Sequence, residues 1–134
     1  EGFGKEVKRR LMIGSYVLSG KNAKTYYYKA LKVRKSICDS FNDVFSKYDL
    51  IIGPTTTDFA YKLGSASNDA VKSFMDDLFT IPVNMAGLPA MSLPIGFASN
   101  NLPVGMQIIA NKFDEAKIYK LANFIENKIN EGGN

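Results

Sequence analysis

The 134-residue sequence predicts an α/β unit, and three observations carry that prediction. Apolar residues recur every three to five positions over residues 3–18, and every three or four over most of 27–48 and 118–129, the spacing of a helix face. Two β-type runs, Ala90 to Phe97 and Pro103 to Ala110, are separated by Ala98-Ser99-Asn100-Asn101-Leu102, the pattern of a hairpin near residues 90–110. A third apolar run, Leu50-Ile51-Ile52, is closed by Gly53-Pro54 and reads as a buried strand.

Taken in order, the first helix presents Phe3, Val7, Leu11, Met12 and Tyr16 on one face, and Gly20, Lys21 and Asn22 break it. From Tyr27 a long amphipathic helix runs through Ala30, Leu31, Ile37, Cys38, Phe41, Val44, Phe45 and Tyr48. After the strand at 50–52, the Thr-, Ser- and Gly-rich residues 55–68 predict a loop. Asn68 or Asp69 caps a third helix with Val71, Phe74, Met75 and Leu78 as its apolar face. Pro82 ends that helix and starts a short one, since the missing N–H is no loss in a first turn; Gly87 then fits a left-handed stop before Pro89. Pro94, lacking a donor, calls for a sheet edge or a bulge. Asp114 is expected to cap the last helix, with Phe113 stapled onto Ile118 and a buried stripe of Ile118, Leu121, Ala122, Ile125 and Ile129. No repeat or linker interrupts this order, so residues 1–134 read as a single segment.

Composition narrows the function classes. The 46% hydrophobic content suits one core, and no apolar run reaches the ~18 residues that span a bilayer. Charges in the first 20 residues exclude a signal peptide, so a soluble, reducing compartment fits, cytoplasmic or organellar. The net charge of +4 comes from 14 Lys and 3 Arg against 13 acids and is spread along the chain. Tyr26, Tyr27 and Tyr28 beside Lys24, Lys29 and Lys32 come nearest to an RNA-binding stripe, but a solvated lysine face over a buried aromatic face explains them better.

The sequence contains no histidine, so a Ser-His-Asp triad and a Cys-His pair are both excluded. Cys38 is the only cysteine, which rules out an internal disulfide and a thiolate cluster; its apolar neighbours make it a small core residue. The glycines never cluster between a strand and a helix, so there is no phosphate-cradling loop. No serine occupies a Gly-rich turn that would expose it beside an oxyanion hole. No catalytic residue, metal ligand or cofactor site is therefore assigned within the chain.

Three stretches nevertheless resemble one family. They are Gly2 to Ser19, with Arg9-Arg10-Leu11-Met12-Ile13-Gly14 inside it; Tyr48-Asp49-Leu50-Ile51-Ile52-Gly53-Pro54-Thr55; and Thr80 to Pro94, continued by Leu102 to Ile109. The second and third are similar to the C-terminal region of amidase-signature hydrolases. The first looks like the A subunits of tRNA-dependent amidotransferases in particular. The resemblance implies the C-terminal portion of an α/β/α sandwich built on a mixed sheet. It also implies amide hydrolysis by a Ser–cis-Ser–Lys triad that lies N-terminal to everything here, so this piece is expected to be inactive by itself. In such enzymes the A subunit releases ammonia from glutamine, and the partner B and C subunits complete the conversion of Glu-tRNA(Gln) to Gln-tRNA(Gln). ATP and Mg belong to the partner, and none is implied in this subunit; no membrane is implied either.

The same resemblance points to Arg10 and Asp77 as substrate-binding residues. Free glutamine carries an α-carboxylate and an α-ammonium, which call for an arginine fork and a carboxylate. Asp77 has independent support, because Asp76 and Asp77 occupy a helix's last turn, where negative charge meets the negative end of the dipole. Arg9 is the alternative to Arg10. Asn84 and Gln107 fit buried amides that satisfy backbone groups, and Thr55 is assigned no contact although its strand borders the implied site. Two other functions compete: another amidase-signature hydrolase needing no partner, and a stand-alone module binding RNA or protein.

Overall fold

A computed structural model describes residues 2–61 and 75–132. The expected third helix lies mostly outside these residues; Met75 and Asp76 are helical and Asp77–Thr80 form a turn. The chain divides into two compact units, Glu1–Ile37 and Cys38–Asn134.

The first unit is helical. Helix α1 (Lys5–Leu18) covers the predicted span, and the break comes at Ser19, whose backbone is extended. Gly20 to Asn22 do not interrupt the chain as the sequence suggests but form a single turn, α2 (Gly20–Asn22). The cause is local. Gly20 takes a positive φ of 42°, and Ser19 N, Ser19 Oγ and Asn22 Nδ2 all donate to the Tyr16 carbonyl. A π-helical turn (Ala23–Tyr27) follows and leads into α3 (Tyr28–Phe45). The tyrosines depart from expectation: Tyr26, Tyr27 and Tyr28 are exposed, and no residue of α1, α2 or α3 is fully buried. Their rings associate with one another instead, Tyr27 edge-on to Tyr28 and Tyr16 tilted against Tyr26.

The second unit is built on three antiparallel strands in the order β1 (Leu50–Pro54), β3 (Pro103–Ala110), β2 (Ala90–Phe97). The predicted hairpin is β2–β3. Pro94 lies on the outer strand beside a register shift between Pro94 and Gly96, where its missing donor is tolerated. β1 is half-buried rather than buried, because β3 takes the centre and β1 is paired on one side only.

Alternation sorts the sheet into two faces. Leu50, Met91, Leu93, Met106, Ile108 and Ala110 share one face and pack against Ile118, Leu121, Ala122 and Ile125 of helix α5 (Glu115–Gly132). That is the predicted stripe except for Ile129, which is exposed. The expected staple is absent as well: Phe113 is 92% exposed at a positive φ of 64°, turning its ring away from Ile118. At the helix start the Asp114 carboxylate pairs with Lys117 Nζ, and the Asp114 main-chain carbonyl accepts from Lys117 N.

The opposite face carries Gln107, Ser92 and Gly105 and looks onto the short helix α4 (Ile81–Ala86). Pro82 opens α4 and Gly87 closes it at φ 67°, ψ 43°, the left-handed stop read from the sequence. Val83 and Ala86 are buried there, and Cys38 is half-buried with its thiol 3.9 Å from the Met85 carbonyl. Helix, sheet and helix segment thus form the layers of a small α/β/α arrangement within this unit.

Candidate functional site

The face between α4 and the sheet holds a pocket of about 300 Å³. Thr55, Thr80, Asn84, Ser92 and Gln107 supply its polar groups, and Val83, Leu88 and Ala90 are among its apolar walls. Thr55 Oγ1 and Ser92 Oγ share a hydrogen bond of 2.8 Å across β3. Gly105 makes that possible: a Cβ there would meet both hydroxyl oxygens at 3.0 Å. The lining side chains among the described residues are hydroxyls, amides and apolar groups, so they offer hydrogen bonds rather than charge.

Beside the pocket runs the turn bearing Asp77. Its carboxylate is exposed, while Asp76 is half-buried. The Asp77 carbonyl accepts from Ile81 N at 3.0 Å, from Thr80 N at 3.2 Å and from Thr80 Oγ1 at 3.3 Å. The chain thus turns sharply from this residue into α4. Gln107, only 6% exposed, donates its amide to the Phe79 carbonyl at 3.1 Å, as the sequence predicts for a buried amide. Asn84 also donates to a carbonyl, that of Thr80, but it is exposed rather than buried, because it lines the open pocket.

Arg10 belongs to the first unit. It lies exposed on α1, its Nε donating to Glu6 Oε1 at 3.0 Å, while Arg9 approaches the other oxygen of Glu6 at 3.7 Å. Exposed pairs of this kind contribute little to stability, so both guanidinium groups remain available to a ligand at small cost.

A second ionic group ties α5 to β1. Lys117 Nζ lies 2.8 Å from Asp49 Oδ1 and 3.1 Å from Asp114 Oδ2. The hydrogen bond from Lys117, reinforced by its charge, lowers the Asp49 pKa; the bonds to Asp49 and Asp114 raise that of Lys117. This cluster is exposed and reads as a strut. Among the described residues no group of three His, Cys, Asp or Glu side chains could hold a metal ion, and no helix is long and apolar enough to cross a membrane.

Residues 1–119 match the model of the Amidase family. The chain belongs to that family. It is 51% identical over 126 residues to the A subunit of glutamyl-tRNA(Gln) amidotransferase of Bacillus thuringiensis (strain Al Hakam) and to that of Bacillus cereus (strain B4264), covering 94% of this chain and 26% of each relative. The crystal structure of the same A subunit from Thermotoga maritima superimposes with a TM-score of 0.69 at 48% identity, over 89% of this chain and 26% of that one. At 24% identity, 6-aminohexanoate cyclic dimer hydrolase shares the fold with a TM-score of 0.67, over 83% of this chain and 25% of that one. The chain therefore spans about a quarter of the length of the relatives it matches.

Membership of the Amidase family bears out the resemblance read from the sequence, and the α/β architecture agrees with it. What the sequence did not single out is the Thr55–Ser92 hydroxyl pair. Only the strand register relates these residues, Ser92 lying opposite Gln107 in the hairpin, and no short motif marks it.

Proposed function

We propose that this chain is the substrate-binding and scaffold part of the glutamine-hydrolysing A subunit of a tRNA-dependent amidotransferase. The observation that carries the reading is the 51% identity across 94% of the chain to glutamyl-tRNA(Gln) amidotransferase A subunits, against 24% for a hydrolase acting on a different amide. The exposed Asp77 carboxylate offers a partner for the α-ammonium of glutamine, and Arg10 a fork for its α-carboxylate. Ammonia released by the whole subunit then converts Glu-tRNA(Gln) to Gln-tRNA(Gln) with the B and C subunits. ATP and Mg are used by the partner, and this subunit needs no cofactor.

On this reading the nucleophile and base are the family's Ser–cis-Ser–Lys triad, and no serine or lysine of this chain matches its motif. The purified chain is accordingly expected to release no ammonia from glutamine above a heat-inactivated control. In the complete enzyme, Arg10→Lys is expected to raise the KM for glutamine, because an ammonium cannot form the bidentate contact. Ammonia production by the chain alone, or an Arg10→Lys enzyme indistinguishable from wild type with glutamine, contradicts the proposal.

A further inference from the structure

Asp77 is bracketed. Two residues before it, the Met75 carbonyl accepts a hydrogen bond from Thr57 Oγ1 at 3.3 Å. Two residues after it, the Phe79 carbonyl accepts from Gln107 Nε2 at 3.1 Å. Both donors are distant in sequence, and both belong to the sheet side of the unit: Thr57 lies just beyond β1, and Gln107 sits in the central strand β3. Between these anchors the Asp77 carbonyl is held by Thr80 and Ile81, so the main chain is tied down on both sides of an exposed carboxylate.

A surface turn needs no such bracing for its own sake. Carbonyls at an exposed turn are satisfied by water, and a buried amide such as Gln107 could be replaced by an apolar residue of similar volume at small cost to the core. A carboxylate that must meet a ligand's ammonium within a few tenths of an ångström does need it, since a charged group on a loose turn loses its geometry and with it the binding energy.

We infer that Thr57 and Gln107 are positioning residues that set the Asp77 carboxylate for the α-ammonium of the amino-acid substrate. This rests on the role given to Asp77 under Proposed function. Neither residue touches the substrate; each acts by fixing a main-chain carbonyl two positions from Asp77.

The experiment compares two substrates in the complete enzyme: glutamine, and 4-carbamoylbutanoate, which is glutamine without its α-amino group. Ammonia release is measured for wild type and for Asp77→Asn, Thr57→Val, Thr57→Ser and Gln107→Met. Thr57 is exposed, so its variants test the idea even where Gln107→Met impairs folding. Asp77→Asn is expected to remove most of the preference for glutamine. Thr57→Val and Gln107→Met are expected to lower that preference about 3- to 10-fold, through the KM for glutamine, and Thr57→Val, which lies outside the pocket lining, leaves the des-amino substrate unaffected. Thr57→Ser, which keeps the hydroxyl, should behave as wild type. If Asp77→Asn abolishes the preference while Thr57→Val and Gln107→Met leave it intact, or lower both substrates equally, the positioning role is wrong and the role of Asp77 stands. If Asp77→Asn itself leaves the preference unchanged, the underlying assignment fails and the positioning role with it.

Discussion

Ile52 and Ile108 sit directly opposite one another in the β1–β3 register, on the same face of the sheet, yet Ile108 is 0% exposed and Ile52 60%. Helix α5 covers the centre of that face and stops short of the edge strand at Ile52. Truncating each residue to alanine therefore separates burial from β-propensity. Ile108→Ala removes three carbon atoms, a transfer loss of about 2.4 kcal/mol at ~0.8 kcal/mol per group, and leaves a cavity between β3 and α5 that raises the total to about 3–4 kcal/mol. Ile108→Val removes one group and should cost about 1 kcal/mol. Ile52→Ala should cost no more than about 1 kcal/mol. A unit of this size has roughly 5–15 kcal/mol in all, so the first change is a large share of it. Urea unfolding followed by circular dichroism is the assay. With a slope of about 1–3 kcal/mol per molar, Ile108→Ala should move the midpoint down by roughly 1–4 M. An Ile52→Ala midpoint shifted as far as that of Ile108→Ala would refute the assignment of this face to α5.

Two further outcomes follow from contacts in the same unit. Gly105→Ala presses a methyl against the Thr55 and Ser92 hydroxyls and should cost about 1–3 kcal/mol in thermal unfolding; removing one hydroxyl in Gly105→Ala/Ser92→Ala should recover part of it. The Asp49–Lys117 pair gives a pH dependence of known sign. Because the Asp49 pKa is lowered on folding, its contribution is present above the ordinary value of 3.8 and is lost as pH falls through the lowered value. Because that of Lys117 is raised, its contribution is present below 10.5 and is lost as pH rises through the raised value. The melting-temperature difference between wild type and Asp49→Asn should be small, nearly flat from about pH 5 to about pH 9, and should close at both extremes and in high salt.

What was legible in the sequence is what local chemistry dictates. Pro82 and Gly87 bound α4 because a missing donor and a left-handed residue leave few alternatives. Pro94 marks an edge and a register shift for the same reason. The stripe from Ile118 to Ile125 is buried because helical spacing and an alternating strand meet across one core. The misreadings concern what covers a surface. The apolar face at Tyr26–Tyr28, the strand at Ile52 and the ring of Phe113 are exposed, and periodicity shows which side chains share a face but not what lies over it. The polar pocket was illegible for a related reason. Thr55, Ser92 and Gln107 meet only through the register of three strands, a long-range property, and no short motif announces it.

Whether this chain supplies the glutamine-recognising carboxylate of an ammonia-releasing subunit can be decided by Gln-tRNA(Gln) formation in the complete enzyme, with either glutamine or added ammonia as nitrogen donor. Asp77→Asn loses a charged hydrogen bond and should weaken glutamine use roughly 10- to 150-fold. Its neighbour Asp76→Asn should stay within about twofold. Added ammonia should restore product formation by Asp77→Asn to the wild-type ammonia-dependent rate, since that route needs no glutamine pocket. Equal behaviour of the two asparagine variants with glutamine, or failure of ammonia to rescue Asp77→Asn, would contradict the assignment.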